Sequence, residues 1–181
     1  MATLKVPVAP ADHSQGEEQA PVTLVEYGDY QCPHCGRAYP IVQRVQKHFG
    51  KQLKFVFRNF PLTEIHPYAE AAAEAAEFAA SQGKFWEMHD AIFENQDRLS
   101  PLFLVRLAGE LGLDGDALKK ALEGHEFLPR IKADFLGGAR SGVNGTPTFF
   151  INGVRHEGAF DFEDLVEAID GAIGKPKRRV G

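Results

Sequence analysis

The run Val22-Thr23-Leu24-Val25-Glu26-Tyr27 reads as a strand and is followed closely by Tyr30-Gln31-Cys32-Pro33-His34-Cys35, where a helical pattern begins. These are the only two cysteines in the chain. A Cys-x-x-Cys at a strand-to-helix junction reads as a redox pair. One thiolate attacks a disulfide sulfur, and a second thiol nearby resolves the mixed disulfide. With two residues between them the cysteines lie within one helical turn, so both reach the same sulfur–sulfur bond.

The residues between the cysteines sharpen this reading. Pro33 suits the first helical position, where its missing N–H costs nothing and its φ is already helical. Cys32 then takes the N-cap, with free amide donors and the positive dipole end aimed at its sulfur. For a thiol of ordinary pKa ~8.5 to ionise near pH 5, roughly 5 kcal/mol of thiolate stabilisation is needed. A helix terminus supplies at most ~2 kcal/mol. Amide hydrogen bonds and His34 must share the rest, which makes Pro33 and His34 tuning residues.

The rest of the chain alternates between strand and helix signals. Residues 7–21, with three prolines and with Asp12, Glu17 and Glu18, read as a solvated lead-in rather than a packed element. A helix is expected over 33–49, ended by Gly50, and the alternating run 53–58 reads as a strand, which completes a β-α-β unit. From 66 to 138 the signal is helical, with stretches expected over 68–81, 85–96, 101–111, 116–123 and 127–139. Strands over 148–152 and 154–157 flank a turn at Gly153, and a helix over 162–173 follows an Asp161 cap.

The Cys32-Pro33-His34-Cys35 motif after an apolar strand resembles the bacterial disulfide oxidoreductase DsbA and its relatives in the thioredoxin superfamily. The segment Gly145-Thr146-Pro147-Thr148-Phe149-Phe150-Ile151-Asn152-Gly153 is similar to that family's cis-proline loop and following strand. The resemblance covers residues 21–173. It implies an α/β chain with a thioredoxin fold, β-α-β then β-β-α, interrupted by a large helical insertion that shapes substrate access at the active-site edge. The expected division is a lead-in over 1–21, a core over 22–61 and 143–173, an insertion over 62–142, and a basic tail over 174–181.

The resemblance also assigns roles. Cys32 is expected as the exposed attacking thiol and Cys35 as the shielded resolving thiol. The Thr146–Pro147 bond would be cis and face the cysteines, leaving the Thr146 backbone free to pair with an extended substrate; the plain alternative is a trans proline before a strand. Glu26 has two readings, a solvent-facing charge on the strand or a buried acid that relays a proton from the second cysteine.

Charge and composition limit the other possibilities. The chain has 181 residues, 44% hydrophobic and 25% charged, enough for an adequate core. A net charge of −5 argues against nucleic acid as the partner. No run approaches the roughly 18 apolar residues of a membrane helix, and the N-terminus lacks a hydrophobic signal core. A cytoplasmic protein is expected, the alternative being an exported one expressed without its leader.

No organic cofactor or metal is called for. A zinc site joining the cysteines to His66, His89 or His125 lacks the paired spacing such sites use, and His89 is expected to pack or cap within the insertion. The four basic residues near the C-terminus are expected to form a frayed tail. Expected partners are protein thiols and disulfides, together with an unidentified redox partner. The alternatives are a cytoplasmic disulfide reductase, a glutathione-dependent transferase or isomerase, and a non-redox binding or chaperone module.

Overall fold

A computed structural model describes residues 1–175. The strands are β1 (His13–Gly16), β2 (Val22–Gly28), β3 (Leu53–Asn59), β4 (Thr148–Ile151) and β5 (Val154–Arg155). They form one sheet in the order β1-β3-β2-β4-β5. Every residue of β2, β3 and β4 is buried, the polar Thr23, Glu26, Lys54, Arg58 and Asn59 included. β4 runs antiparallel to β2, pairing Leu24 with Ile151 and Glu26 with Phe149. Asn152 and Gly153, at φ 47° and 82°, make the tight turn into β5, and Asn-Gly suits the left-handed pair that a two-residue hairpin needs.

Helices α1 (Pro33–Phe49) and α7 (Phe162–Ala172) complete the thioredoxin arrangement, β2-α1-β3 followed by β4-β5-α7. The guanidinium groups of Arg37 and Arg44 lie over the rings of Phe160 and Phe162, at 4.8 and 4.2 Å. Pro40 stands inside α1, where it cannot pair with the carbonyl of Gly36. The chain divides into two compact units, and one border falls directly after Gly36. The first unit holds Met1–Gly28, Arg37–Arg58 and the chain from Leu136; the second holds Asp29–Gly36 and Asn59–Phe135. The cysteine motif therefore clusters with the helices rather than with the sheet.

Between β3 and β4 come α2 (Ala69–Ser81), α3 (Phe85–Glu94), α4 (Pro101–Glu110), α5 (Gly115–Glu123) and α6 (Leu128–Arg140). Their bounds differ from the sequence expectation by a residue or two, as fraying ends do. The larger difference is at 85–96, where α3 stops at Glu94 and Gln96–Arg98 form a separate 3-10 turn. Ser100 and Asp114 cap α4 and α5 by accepting from the amides of Phe103 and Ala117. Asp161 occupies the N-cap of α7 but makes no side-chain capping bond, so that expectation holds in position only. Among the described residues no helix is long and apolar enough to cross a membrane. The basic tail lies outside the described residues except for Gly174 and Lys175.

The solvated lead-in expected over 7–21 is corrected. Its middle is β1, antiparallel to β3 with His13 opposite Phe57. The cause is Arg58, only 3% exposed. Its Nε and Nη2 donate to the two carboxylate oxygens of Asp12 at 2.9 and 2.8 Å, and its remaining donors reach Val6 O, Pro7 O and Tyr27 Oη. Burial works against the Arg58 charge, yet its bonds to Asp12 and Tyr27 more than offset this and raise its pKa. A buried arginine must be paired, and the lead-in supplies the pair. Asp12→Ala is expected to destabilise the protein by about 3 kcal/mol, the low end for breaking a buried pair because three acceptors remain; urea unfolding measures it.

In the second unit, Asn59 donates from its backbone N and its Nδ2 to Asp134 Oδ2 at 3.0 and 3.1 Å, and from Nδ2 to Glu77 Oε1 at 3.0 Å. Burial pushes the Asp134 pKa up from 3.8, the Asn59 bonds and Arg130 pull it down, and the Glu77 charge adds to the rise. The folded state thus holds this proton more tightly than the unfolded chain does, and stability falls as pH rises from about 3.8 through the raised value. Asp134→Asn is expected to remove this part of the decline, seen as a shallower loss of unfolding free energy between pH 4 and 7 than in the unsubstituted protein.

Candidate functional site

The site is built on the loop between β2 and α1. Cys32 sits at the N-cap as expected: α1 starts at Pro33, and the Cys32 carbonyl accepts from Gly36 N at 3.0 Å, the first helical bond. Pro33 and His34 are exposed. Cys32 was expected to be exposed and is instead buried, at 3%, while Cys35 is fully buried at 0%. The Cys32 peptide is held from both sides by neighbouring polar groups, which keep its backbone against the fold.

On one side is Asp29, itself 1% exposed. Its Oδ1 accepts from the amides of Gln31 and Cys32 at 2.7 and 3.1 Å. Its Oδ2 accepts from Leu62 N at 2.9 Å and bonds His66 Nδ1 at 2.7 Å. Four partners offset the cost of burying this carboxylate. The backbone N–H of Asp29 donates to Cys35 Sγ at 3.4 Å, a bond that strengthens when the sulfur is ionised.

On the other side is Gln96. Its Nε2 donates to the carbonyls of Tyr30 and Cys32 at 2.9 and 2.7 Å. A Cβ on Gly36 would collide with the Gln96 Oε1, so the glycine makes room for this carboxamide. Sequence reasoning missed both residues. Asp29 left a signal, since an Asp whose side chain bonds amides two and three residues on is a common loop device. Gln96 left none, being 64 residues from Cys32.

Glu26 is 3% exposed, which removes its solvent-facing reading. Every residue of β2 is buried, so both its faces are covered, and a Cβ on Gly28 would lie 3.2 Å from Glu26 Oε1. Thr146 and Pro147 are half-buried, and the bond between them is cis. Of the histidines weighed as zinc ligands, His66 pairs with Asp29. His89 is buried, bonds Tyr30 Oη at 2.9 Å and packs against the rings of Tyr30, Phe85, Trp86 and Phe93. His125 stands beside Glu74, with Nδ1 3.2 Å from Oε2.

A family model described as Thioredoxin matches residues 8–171. The chain is also similar to proteins named Na(+)/H(+) antiporter NhaA 1 from Salinispora arenicola and NhaA 3 from Salinispora tropica. Each is 46% identical over 177 residues, which is 97% of this chain and 27% of theirs. The chain thus spans about a quarter of the length of the curated relatives it matches. Among solved structures it is similar to oxidised BdbD from Bacillus subtilis, at 27% identity and TM-score 0.85, covering 95% of this chain and 98% of that one. A thioredoxin-like oxidoreductase from Silicibacter pomeroyi matches at 30% identity and TM-score 0.77, covering 91% and 93%. The chain belongs to the thioredoxin family.

The Gln96 contact yields a coupled prediction. Gly36→Ala is expected to cost about 1–2 kcal/mol by overpacking against the carboxamide. In a Gln96→Ala background the same change should be neutral or stabilising, because alanine is the better helix former once the space is open. Denaturant unfolding of the two single variants and the double variant closes the cycle.

Proposed function

We propose that the protein is a thiol-disulfide oxidoreductase that exchanges a Cys32–Cys35 disulfide or dithiol with protein substrates. The observation that carries this reading is the placement of Cys32 at the N-cap of α1, with the Cys35 sulfur receiving the Asp29 N–H. In the reducing direction the Cys32 thiolate attacks one sulfur of a substrate disulfide. A Cys32–substrate bond forms and the other substrate sulfur leaves as a thiolate. Cys35, deprotonated, then attacks Cys32 Sγ, forms the Cys32–Cys35 bond and expels the second substrate thiol. Two electrons and two protons have moved to the substrate, and the oxidising direction is the reverse.

In this reading Glu26 takes the Cys35 proton, His34 and Pro33 set the potential, and the backbone at Thr146 and Pro147 binds an extended substrate. The cysteines carry the electrons themselves. Direction follows compartment: a cytoplasm that keeps thiols reduced makes the pair a reductase, and an oxidising compartment makes it an oxidase. Separate redox proteins would return the pair to its starting state.

The test is chemical. Alkylation of the reduced protein at pH 6 should modify Cys32 far faster than Cys35. Cys32→Ser should abolish insulin reduction, and Cys35→Ser should accumulate a mixed disulfide. His34→Ser should move the Cys32/Cys35 potential negative, by roughly 30 mV for each ~1.4 kcal/mol of lost thiolate stabilisation, read by equilibration with glutathione. Equal alkylation rates with no trapped adduct would refute the reading.

A further inference from the structure

The second unit holds a cluster of donors that thiol exchange does not use. Glu70 and Glu74 stand one turn apart on α2, and His125 follows the end of α5. One donor atom from each residue lies within 4.8 Å of the other two. The three differ in exposure: Glu74 is 2% exposed, Glu70 is half-buried, and His125 is exposed. A cluster of this kind is ordinary on a protein surface. What sets this one apart is the Glu74 carboxylate, whose Oε2 meets His125 while its Oε1 is buried with no hydrogen-bond partner. A buried carboxylate oxygen left unpaired costs free energy that the fold does not otherwise recover.

We propose that Glu70, Glu74 and His125 form a binding site for a divalent cation of the zinc class, which clips α2 to the turn after α5. The donor set decides the class. One imidazole nitrogen and two carboxylates match the three protein ligands of a zinc site with water in the fourth position. Calcium and magnesium take oxygen ligands, so the imidazole nitrogen favours zinc over either. Ligands around zinc stand ~3.4 Å apart at bond lengths near 2.1 Å, so the groups draw together on the ion. The double positive charge offsets the repulsion between Glu70 and Glu74. That repulsion adds to burial in raising the Glu74 pKa, while His125 acts the other way. The open side at His125 lets the ion enter from solvent.

The cysteines would themselves bind zinc, so the test uses the full chain with Cys32→Ser and Cys35→Ser, its folding verified by circular dichroism. Titration calorimetry with zinc chloride should give one site per chain, and zinc should raise the melting temperature. His125→Ala and Glu70→Gln should each weaken binding at least tenfold, and Glu74→Gln should abolish both binding and the thermal shift. Magnesium and calcium at the same concentration should give no shift. Absence of zinc binding, binding unchanged in His125→Ala and Glu70→Gln, or a preference for calcium would overturn the proposal. The measurement does not involve thiol exchange, so it stands or fails separately from the redox reading.

Discussion

The candidate site depends on one buried carboxylate. Asp29 has almost no access to water, so each of its lone pairs must find a donor within the protein. It finds them at Gln31, Cys32, Leu62 and His66. Those four bonds determine the path of the loop that carries the cysteines, and that path aims the Asp29 amide at Cys35 Sγ. Gln96 supplies the matching restraint on the carbonyl side, so the peptide planes around Cys32 are held at both their N–H and C=O ends. In the proposed thiol exchange such a frame means that the chain around the sulfur pair need not reorganise.

A similar logic orders the sheet. Arg58 lies at the end of β3 with its guanidinium buried, and its donors reach the segment before β1, Tyr27 on β2, and Asp12 beside β1. The charge cannot be left unsatisfied, so the N-terminal segment is drawn over it and β1 adds to the edge at β3. Polar satisfaction, more than apolar burial, accounts for an ordered segment where the composition resembles a solvated leader.

Burial gives the acids of the second unit different roles. Asp134 and Glu77 share the donors of Asn59, and the desolvated Asp134 holds its proton more firmly than an exposed carboxyl would. Glu74 is also buried but has a single donor, His125. Three carboxylates of ordinary chemistry are separated by what each finds within hydrogen-bond reach: a shared amide, an imidazole, or nothing for one of the oxygens.

Much of this was legible in the residues. The apolar run 22–27, the helix opened by Pro33, the Asn152-Gly153 hairpin and the five intervening helices depend on local periodicity and turn chemistry, which act over a few residues and leave their pattern in the sequence. The cysteine pair was legible for the same reason, its chemistry being contained in four residues. The burial of Cys32, the pairing of Asp12 with Arg58, the carboxamide of Gln96 and the meeting of His125 with Glu74 were not. Each joins residues far apart in the chain, and a hydrogen bond of 3 Å leaves no periodic trace in the order of amino acids. Sequence alone determined which elements form and where the two cysteines stand at the start of a helix; tertiary structure decided which polar groups are buried together, because only the folded chain brings distant donors and acceptors within reach and removes the water that would otherwise satisfy them.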